Sequence, residues 1–138
     1  MISVEGLSVD IGAQLILRDV SFALERGRVL GLVGESGSGK SMTALSIMRL
    51  LPRGAQLAGR VTLEGRELGA LTERQMCDVR GREVAMIFQE PMTALNPVQT
   101  IGDQVAETLL VHGVAGRAEA MARTKDRLAR VGLAPDRF

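Results

Sequence analysis

The chain has 138 residues, 46% of them hydrophobic, with 17 Lys and Arg against 16 Asp and Glu and a net charge of +1. This composition is typical of one globular domain and excludes a disordered chain. It also argues against nucleic-acid partners, which require clustered cationic charge and aromatic stacking surfaces, because the chain has three Phe and neither Tyr nor Trp.

Cysteine and histidine usage limits the chemistry further. Cys77 is the single cysteine and His112 the single histidine, so the chain can form neither an internal disulfide nor a zinc cluster, and a reducing compartment fits. No apolar run approaches the roughly 18 residues of a membrane-spanning helix, and the first five residues lack the layout of a signal peptide. We therefore expect a soluble, cytoplasmic chain.

The first predicted elements are strands. Residues 2–24 alternate apolar and polar side chains, the pattern of half-buried strands, with Gly12 at a turn between them. Residues 29–33 and 84–88 are instead apolar without alternation, which is typical of strands covered on both faces. We expect these two to be central strands of a mostly parallel sheet, which expose apolar faces and unpaired edges wherever their neighbours are missing.

Helices and loops account for most of the remaining chain. Thr72 and Gln75 form a capping-box pattern, Pro52 stops a helix, and Gly132 follows the last one. In chain order we predict a buried helix over 40–51, a brief strand at 61–63 that turns at Gly65, a short helix over 72–79, an ordered loop over 89–97, and amphipathic helices over about 100–111 and 117–131.

Residues 34–41 satisfy the pattern G-x-x-x-x-G-K-[ST] between a predicted strand and a predicted helix, as a phosphate-binding loop requires. Glycine lets the backbone curl until successive N–H groups point at phosphate oxygens. Lys40 would reach the β- and γ-phosphates, and the Ser41 hydroxyl would bind Mg²⁺. The alternative, a Gly/Ser-rich turn that matches by chance, is disfavoured by the flanking elements. The predicted nucleotide-binding residues here are Gly34, Glu35, Ser36, Gly37, Ser38, Gly39, Lys40, Ser41 and Met42.

The chain closely resembles the ATP-binding subunits of ABC transporters, and is most similar to the subgroup that imports dipeptides, oligopeptides and nickel. The resemblance is carried by the phosphate loop, Ile87-Phe88-Gln89, the run Glu90-Pro91-Met92-Thr93-Ala94-Leu95-Asn96-Pro97, and Thr100-Ile101-Gly102. It covers essentially the whole chain and implies an α/β fold: a P-loop NTPase core of the RecA-like type with an N-terminal antiparallel β subdomain, incomplete in this chain. The implied parts of this single domain are an antiparallel β part over 1–27, the core from the phosphate loop to the loop at Gln89 over 28–97, and the start of a helical subdomain over 98–138.

The resemblance also implies ligands and roles for single residues. ATP and Mg²⁺ are the implied ligands, with Gln89 contacting the Mg²⁺ or the attacking water, although on pattern alone Gln89 is a polar residue that ends a strand. Glu90, Pro91, Met92 and Leu95 would contact the membrane subunits, whereas on pattern alone Met92 and Leu95 would be minor core residues.

The chain also departs from the family pattern. Family members usually stack an aromatic side chain on adenine, but Ile11 stands near that place here, so we expect weak discrimination between bases. The family's signature sequence, its catalytic glutamate and its switch histidine are absent from these residues. We therefore assign no catalytic residue within the chain and expect no measurable ATPase turnover from it alone.

The function implied is that of the ATP-binding subunit of an importer for peptides or related small solutes, held at the cytoplasmic side of the inner membrane. Its implied partners are transmembrane permease subunits, a second ATP-binding subunit and, indirectly, an extracytoplasmic solute-binding protein. Three alternatives stay open at this point: a non-transport ABC-type ATPase of DNA repair or translation, a stand-alone kinase or GTPase with Glu90 as its metal ligand, and an inactive nucleotide-binding fragment.

Overall fold

The structure, a computed structural model, describes residues 1–89 and 95–134. The chain divides into two compact units, Met1–Arg80 and Gly81–Phe138. The segment boundaries implied by the sequence, after residues 27 and 97, remain predictions.

The first unit is built on a four-stranded antiparallel sheet. Its strands are β1 (Ile2–Ile11), β2 (Gln14–Leu24), β3 (Ala55–Leu63) and β4 (Arg66–Glu67), in the order β2-β1-β3-β4. The alternating pattern of β1 places Val4, Leu7 and Val9 in the core. Gly12 has a φ of 60° in the tight turn to β2, so the predicted antiparallel strands and their turn are confirmed.

Helix α1 (Lys40–Ile47) follows the predicted phosphate loop and ends four residues before the predicted end at Leu51. Arg49 adopts a left-handed φ of 52°, and its N–H donates to the Ser46 carbonyl at 3.0 Å. The Leu50 N–H donates to the Leu45 carbonyl at 2.9 Å, which completes a Schellman motif. The prediction was wrong because the apolar periodicity continues past the point where the backbone reverses.

Helix α2 (Glu73–Val79) has the capping box that the sequence predicts. The Thr72 hydroxyl accepts from the Gln75 N–H, and the Gln75 side chain accepts from the Thr72 N–H. Met76 and Val79 of this helix are buried, as are Leu68 before it and Met48 at the end of α1.

The two predicted central strands are the main correction to the sequence analysis. Within the described part of the chain, residues 29–33 form no strand, and of the predicted strand over 84–88 only Val84 forms an isolated bridge. Val29 and Ile87 are each 97% exposed, and Val33 is 94% exposed. The physical reason is that strand geometry is stabilised by hydrogen bonds to a neighbour. Neither segment pairs with a strand of the sheet among the described residues, so the prediction of two central strands covered on both faces is wrong.

The second unit contains a helical hairpin of α3 (Ile101–Val111) and α4 (Arg117–Arg130). Thr100 caps α3 by accepting from the Asp103 N–H, and Gly113 and Gly132 follow the two helices with positive φ. Both predicted helices are therefore confirmed. Small or short side chains are buried on α3 and α4: Ala106, Ala120 and Thr124, with Leu128 beside them.

Within residues 1–89 and 95–134, none of the helices is both long enough and apolar enough to cross a membrane. Most of the predicted loop over 89–97 falls on residues 90–94, which lie outside the described part of the chain. Its last residues, Leu95 to Pro97, are not helical. The Asn96 N–H donates to the Gln104 side chain at 2.8 Å, which ties the end of this loop to α3.

Candidate nucleotide-phosphate site

The predicted phosphate loop curls back on itself before α1. Gly37 and Gly39 have φ values of 82° and 90°, a conformation that other residues rarely adopt. The Ser38 N–H donates to the Glu35 carbonyl at 3.2 Å and closes a turn within the loop. The backbone therefore has the tight curvature that the glycine pattern predicts.

A β-bulge in β2 anchors the loop to the sheet. Val9 pairs with Leu17 and Asp10 with Leu15, so Ile16 is the additional residue in β2. A Cβ placed on Gly39 would lie 2.3 Å from Leu17 Cδ2 and 3.5 Å from the Ile16 carbonyl oxygen. Glycine at position 39 is thus favoured by its φ, and a side chain there would have to displace the buried Leu17 side chain.

The Lys40 ammonium lies over the loop rather than extending into solvent. Its Nζ donates to the carbonyl oxygens of Gly34 and Glu35, at 2.7 Å each, and to Ser38 Oγ at 3.2 Å. A Cβ on Gly34 would lie 2.5 Å from Ser38 Oγ and 3.1 Å from Ser38 Cβ, so a side chain there would have to displace Ser38. This arrangement holds one positive charge against the curled backbone.

The start of α1 adds unpaired donors at the same place. The first intrahelical bond runs from the Thr43 N–H to the Gly39 carbonyl at 2.8 Å, so the N–H groups of Lys40, Ser41 and Met42 precede it. In α1, which is described throughout, the first turn has no acidic residue and no side-chain cap. Together with the Lys40 ammonium, these donors fit a phosphate group, and the exposed Ser41 hydroxyl supplies an oxygen of the kind that Mg²⁺ binds.

The remaining predicted site residues are distributed over the chain. Ile11 ends β1, where it pairs with Gln14 and Ala55, while Leu17 makes the side-chain approach to the loop. Gln89 is exposed and belongs to the second unit, as does Leu95, which is 52% exposed. Glu90, Pro91 and Met92 lie outside the described residues. The roles of all these residues remain predictions.

Sequence reasoning missed the contribution of the bulge. The signal was available, because Leu15, Ile16 and Leu17 are three consecutive apolar residues in a strand that otherwise alternates. Such an interruption is typical of an extra residue in one strand.

Two carboxylates of the first unit have lowered pKa values, and both lie in surface ion pairs outside the loop. A hydrogen bond from Arg80 lowers the pKa of Glu73 below its ordinary value of 4.5. Hydrogen bonds from the N-terminal ammonium and from Arg26 lower the pKa of Glu64 in the same direction. The Glu73–Arg80 pair lies near the C-terminal end of α1, opposite the loop.

Comparison with known proteins identifies the class. Residues 17–137 match the model of the ABC transporter family, so the chain belongs to this family. It is 51% identical over 124 residues to a probable peptide ABC transporter ATP-binding protein, y4tR, of Sinorhizobium fredii, covering 88% of this chain and 37% of that protein. It is 48% identical over 116 residues to the oligopeptide transport ATP-binding protein AppD of Bacillus subtilis, covering 83% of this chain and 35% of that one.

A third relative is the glutathione import ATP-binding protein GsiA of Escherichia coli, 49% identical over 124 residues that cover 85% of this chain and 20% of that protein. The chain thus spans at most 37% of the length of these relatives. Among solved structures, it resembles the ATP-binding cassette MJ0796 in a dimer bound to ADP and Pi, with a TM-score of 0.72 and 21% identity over 94% of this chain and 56% of that one. This likeness establishes the fold as that of an ABC ATPase cassette with its antiparallel β subdomain, present here in part.

Proposed function

We propose that this chain carries the phosphate-binding part of an ATP-binding subunit that energises an importer of peptides or related small solutes. The observation that carries the proposal is the curled loop at residues 34–41 with the Lys40 ammonium held over it. The sequence similarity to peptide, oligopeptide and glutathione import proteins supports the substrate class.

The loop's own residues account for phosphate recognition. The N–H groups at the start of α1 and the Lys40 ammonium are all donors, so they favour the β- and γ-phosphates of ATP over a neutral group. When phosphate oxygens arrive, they compete with the Gly34 and Glu35 carbonyls for the Lys40 hydrogens. In this proposal Ser41 and Gln89 provide oxygens for Mg²⁺, which neutralises phosphate charge, and Ile11 lies near adenine.

The chain supplies binding and sensing rather than the whole reaction. We assign the activation of the attacking water to a glutamate outside these residues, and the signature sequence to a second ATP-binding subunit. The segment of Glu90, Pro91, Met92 and Leu95 would contact the transmembrane permease subunits at the cytoplasmic side of the membrane. An extracytoplasmic solute-binding protein would act only through those permeases.

Family membership removes the alternative of a stand-alone kinase or GTPase with Glu90 as its metal ligand. A non-transport ABC ATPase shares the phosphate loop, but the importer relatives favour transport. Discrimination between these two needs a transport assay: loss of peptide uptake on deletion of the gene supports the proposal, whereas unchanged uptake with a DNA-repair or translation defect contradicts it.

The two lysines of the chain, Lys40 and Lys125, provide a matched test of phosphate binding. We expect Lys40→Ala to weaken MgATP binding to the full-length protein by about 30-fold, because one charge-assisted contact is lost. Lys125 is exposed on α4, so Lys125→Ala should leave the Kd unchanged. Isothermal titration of both variants measures this, and equal affinities for the two would contradict the proposed site.

A further inference from the structure

The end of α1 opposite the phosphate loop is held by two arginines, Arg49 and Arg80. Helix α1 has 8 residues, so it is about 12 Å long. A hydrogen-bonded helix of two turns moves as one rod, and the position of its C-terminal end therefore constrains the loop at its N-terminal end.

The Arg80 side chain donates to two backbone carbonyl groups at the C-terminal end of α1. Its Nε donates to the Met48 carbonyl at 2.7 Å, and its Nη2 donates to the Arg49 carbonyl at 3.2 Å. The Arg80 side chain is only 16% exposed. Because the last carbonyls of a helix lack intrahelical partners and form its negative end, a guanidinium there satisfies and stabilises them.

Arg49 connects the same end to the segment that precedes α2. Its Nη1 donates to the Leu68 carbonyl at 3.1 Å and to the Leu71 carbonyl at 2.6 Å. The residue also holds a left-handed φ of 52°, which non-glycine residues rarely adopt. The surrounding hydrogen bonds therefore fix a backbone reversal that the residue itself does not favour.

Glu73 lies against both guanidinium groups. One carboxylate oxygen accepts from Arg80 Nη1, and the other lies 3.9 Å from Arg49 Nη2. Met48 and Met76, which neighbour these residues along the chain, are buried. Arg49, Arg80 and Glu73, here named the arginine clamp, thus join the end of α1 to both ends of α2.

We infer that the arginine clamp is a positioning device for nucleotide binding, in which Arg80 holds α1 so that Gly39 and Lys40 keep their places against β2. The inference rests on the proposed nucleotide-binding function. Arg80 is a positioning residue because it acts through α1. Displacing α1 would move the N–H donors and the Lys40 ammonium relative to the Leu17 anchor, and recognition by fixed donors is sensitive to displacements of about 1 Å.

The test compares the MgATP dissociation constant with the fraction of binding-competent protein, both measured by isothermal titration of the full-length protein. We expect Arg80→Met to weaken binding about tenfold with the site number unchanged. Arg80→Lys should recover part of the loss, because an ammonium can donate to one or two of the carbonyls. Arg74 is exposed on the same helix as Glu73, so Arg74→Met is the matched control and should bind as the wild type does.

A purely structural role would lower the site number and the melting temperature while leaving the Kd of the folded fraction unchanged, and that result for Arg80→Met overturns the inference. If Arg80→Met does not fold, Glu73→Gln replaces it, with an expected two- to threefold weaker Kd at full site number; an unchanged Kd overturns the inference. If Lys40→Ala weakens MgATP binding but Arg80→Met and Glu73→Gln do not, the inference about the arginine clamp is overturned while the proposed function stands. Absence of MgATP binding by the wild type overturns the proposed function and the inference together.

Discussion

The phosphate loop and the apolar segments at residues 29–33 and 85–88 differ in what holds their conformation. The loop is closed by bonds among near neighbours in sequence, such as Lys40 Nζ to the Gly34 carbonyl at 2.7 Å. Among residues 1–89 and 95–134, the apolar segments have no such local partners, and Val29 and Ile87 are each 97% exposed. A binding loop can therefore be encoded by eight consecutive residues, whereas a central strand requires neighbours from elsewhere in the sheet.

The largest effect in this comparison is expected from Gly39→Ala. The new Cβ would clash with Leu17 Cδ2, and alanine disfavours the φ of 90°. We expect MgATP affinity of the full-length protein to fall by about 100-fold, because several donors shift together. Fluorescence titration with a labelled ATP analogue measures the change.

Two further variants show whether the clash with Leu17 causes the loss of MgATP affinity. Leu17→Ala combined with Gly39→Ala makes room for the Cβ and should recover about tenfold of the affinity. Gly116, which precedes α4, has a φ of −71° and open space around the position of a Cβ, so Gly116→Ala should leave the affinity unchanged. Wild-type affinity for Gly39→Ala would show that the loop does not depend on this close approach.

Val33→Asp tests whether the apolar segment at residues 29–33 is unpacked. In the 138-residue chain Val33 is 94% exposed, so we expect the free energy of unfolding to change by less than about 0.5 kcal/mol. Urea denaturation followed by circular dichroism gives the free energy of unfolding of the variant and the wild type.

Val4→Asp is the matched control, because Val4 is 1% exposed within the sheet of the first unit. Val4→Asp should cost about 3 kcal/mol or more through a buried charge. A loss of similar size on Val33→Asp would contradict the account, since it would mean that residues 29–33 are packed in the folded chain.

The smallest expected effect concerns pH and the arginine clamp. Because the hydrogen bond from Arg80 lowers the pKa of Glu73 in the folded state, the pair contributes stability that is fully present above the ordinary value of 4.5. That contribution is lost as pH falls through the lowered folded value. The difference in stability between wild type and Glu73→Gln should therefore shrink below about pH 4.5. Thermal melts of both proteins across pH 3 to 7 measure this stability difference. A difference that grows on acidification would contradict a lowered pKa of Glu73 in the folded state.

Local signals explain why parts of the fold could be predicted from the sequence. The capping box of Thr72 and Gln75, the turn at Gly12 and the loop before Lys40 each depend on a few consecutive residues. The end of α1 could not be predicted, because it depends on distant residues. The Arg49 side chain holds the backbone reversal by donating to the Leu68 and Leu71 carbonyls, 19 and 22 residues further along the chain.

The candidate site shows the same division between local and distant information. The loop at residues 34–41 was predicted by a short pattern, and the structure gives that loop the expected curvature. The anchor at Leu17 escaped prediction because it depends on a register shift between β1 and β2. The roles of Ile11 and Gln89 stay predictions, since they depend on a bound nucleotide.

The most direct test of the central claim is hydrogen exchange of the backbone amides at residues 34–42 in the full-length protein, with and without MgATP. If these N–H groups bind phosphate, MgATP should slow their exchange about tenfold or more, and Lys40→Ala should abolish the effect while Lys125→Ala preserves it. Unchanged exchange in this segment at saturating MgATP would contradict the claim that residues 34–41 form the phosphate site.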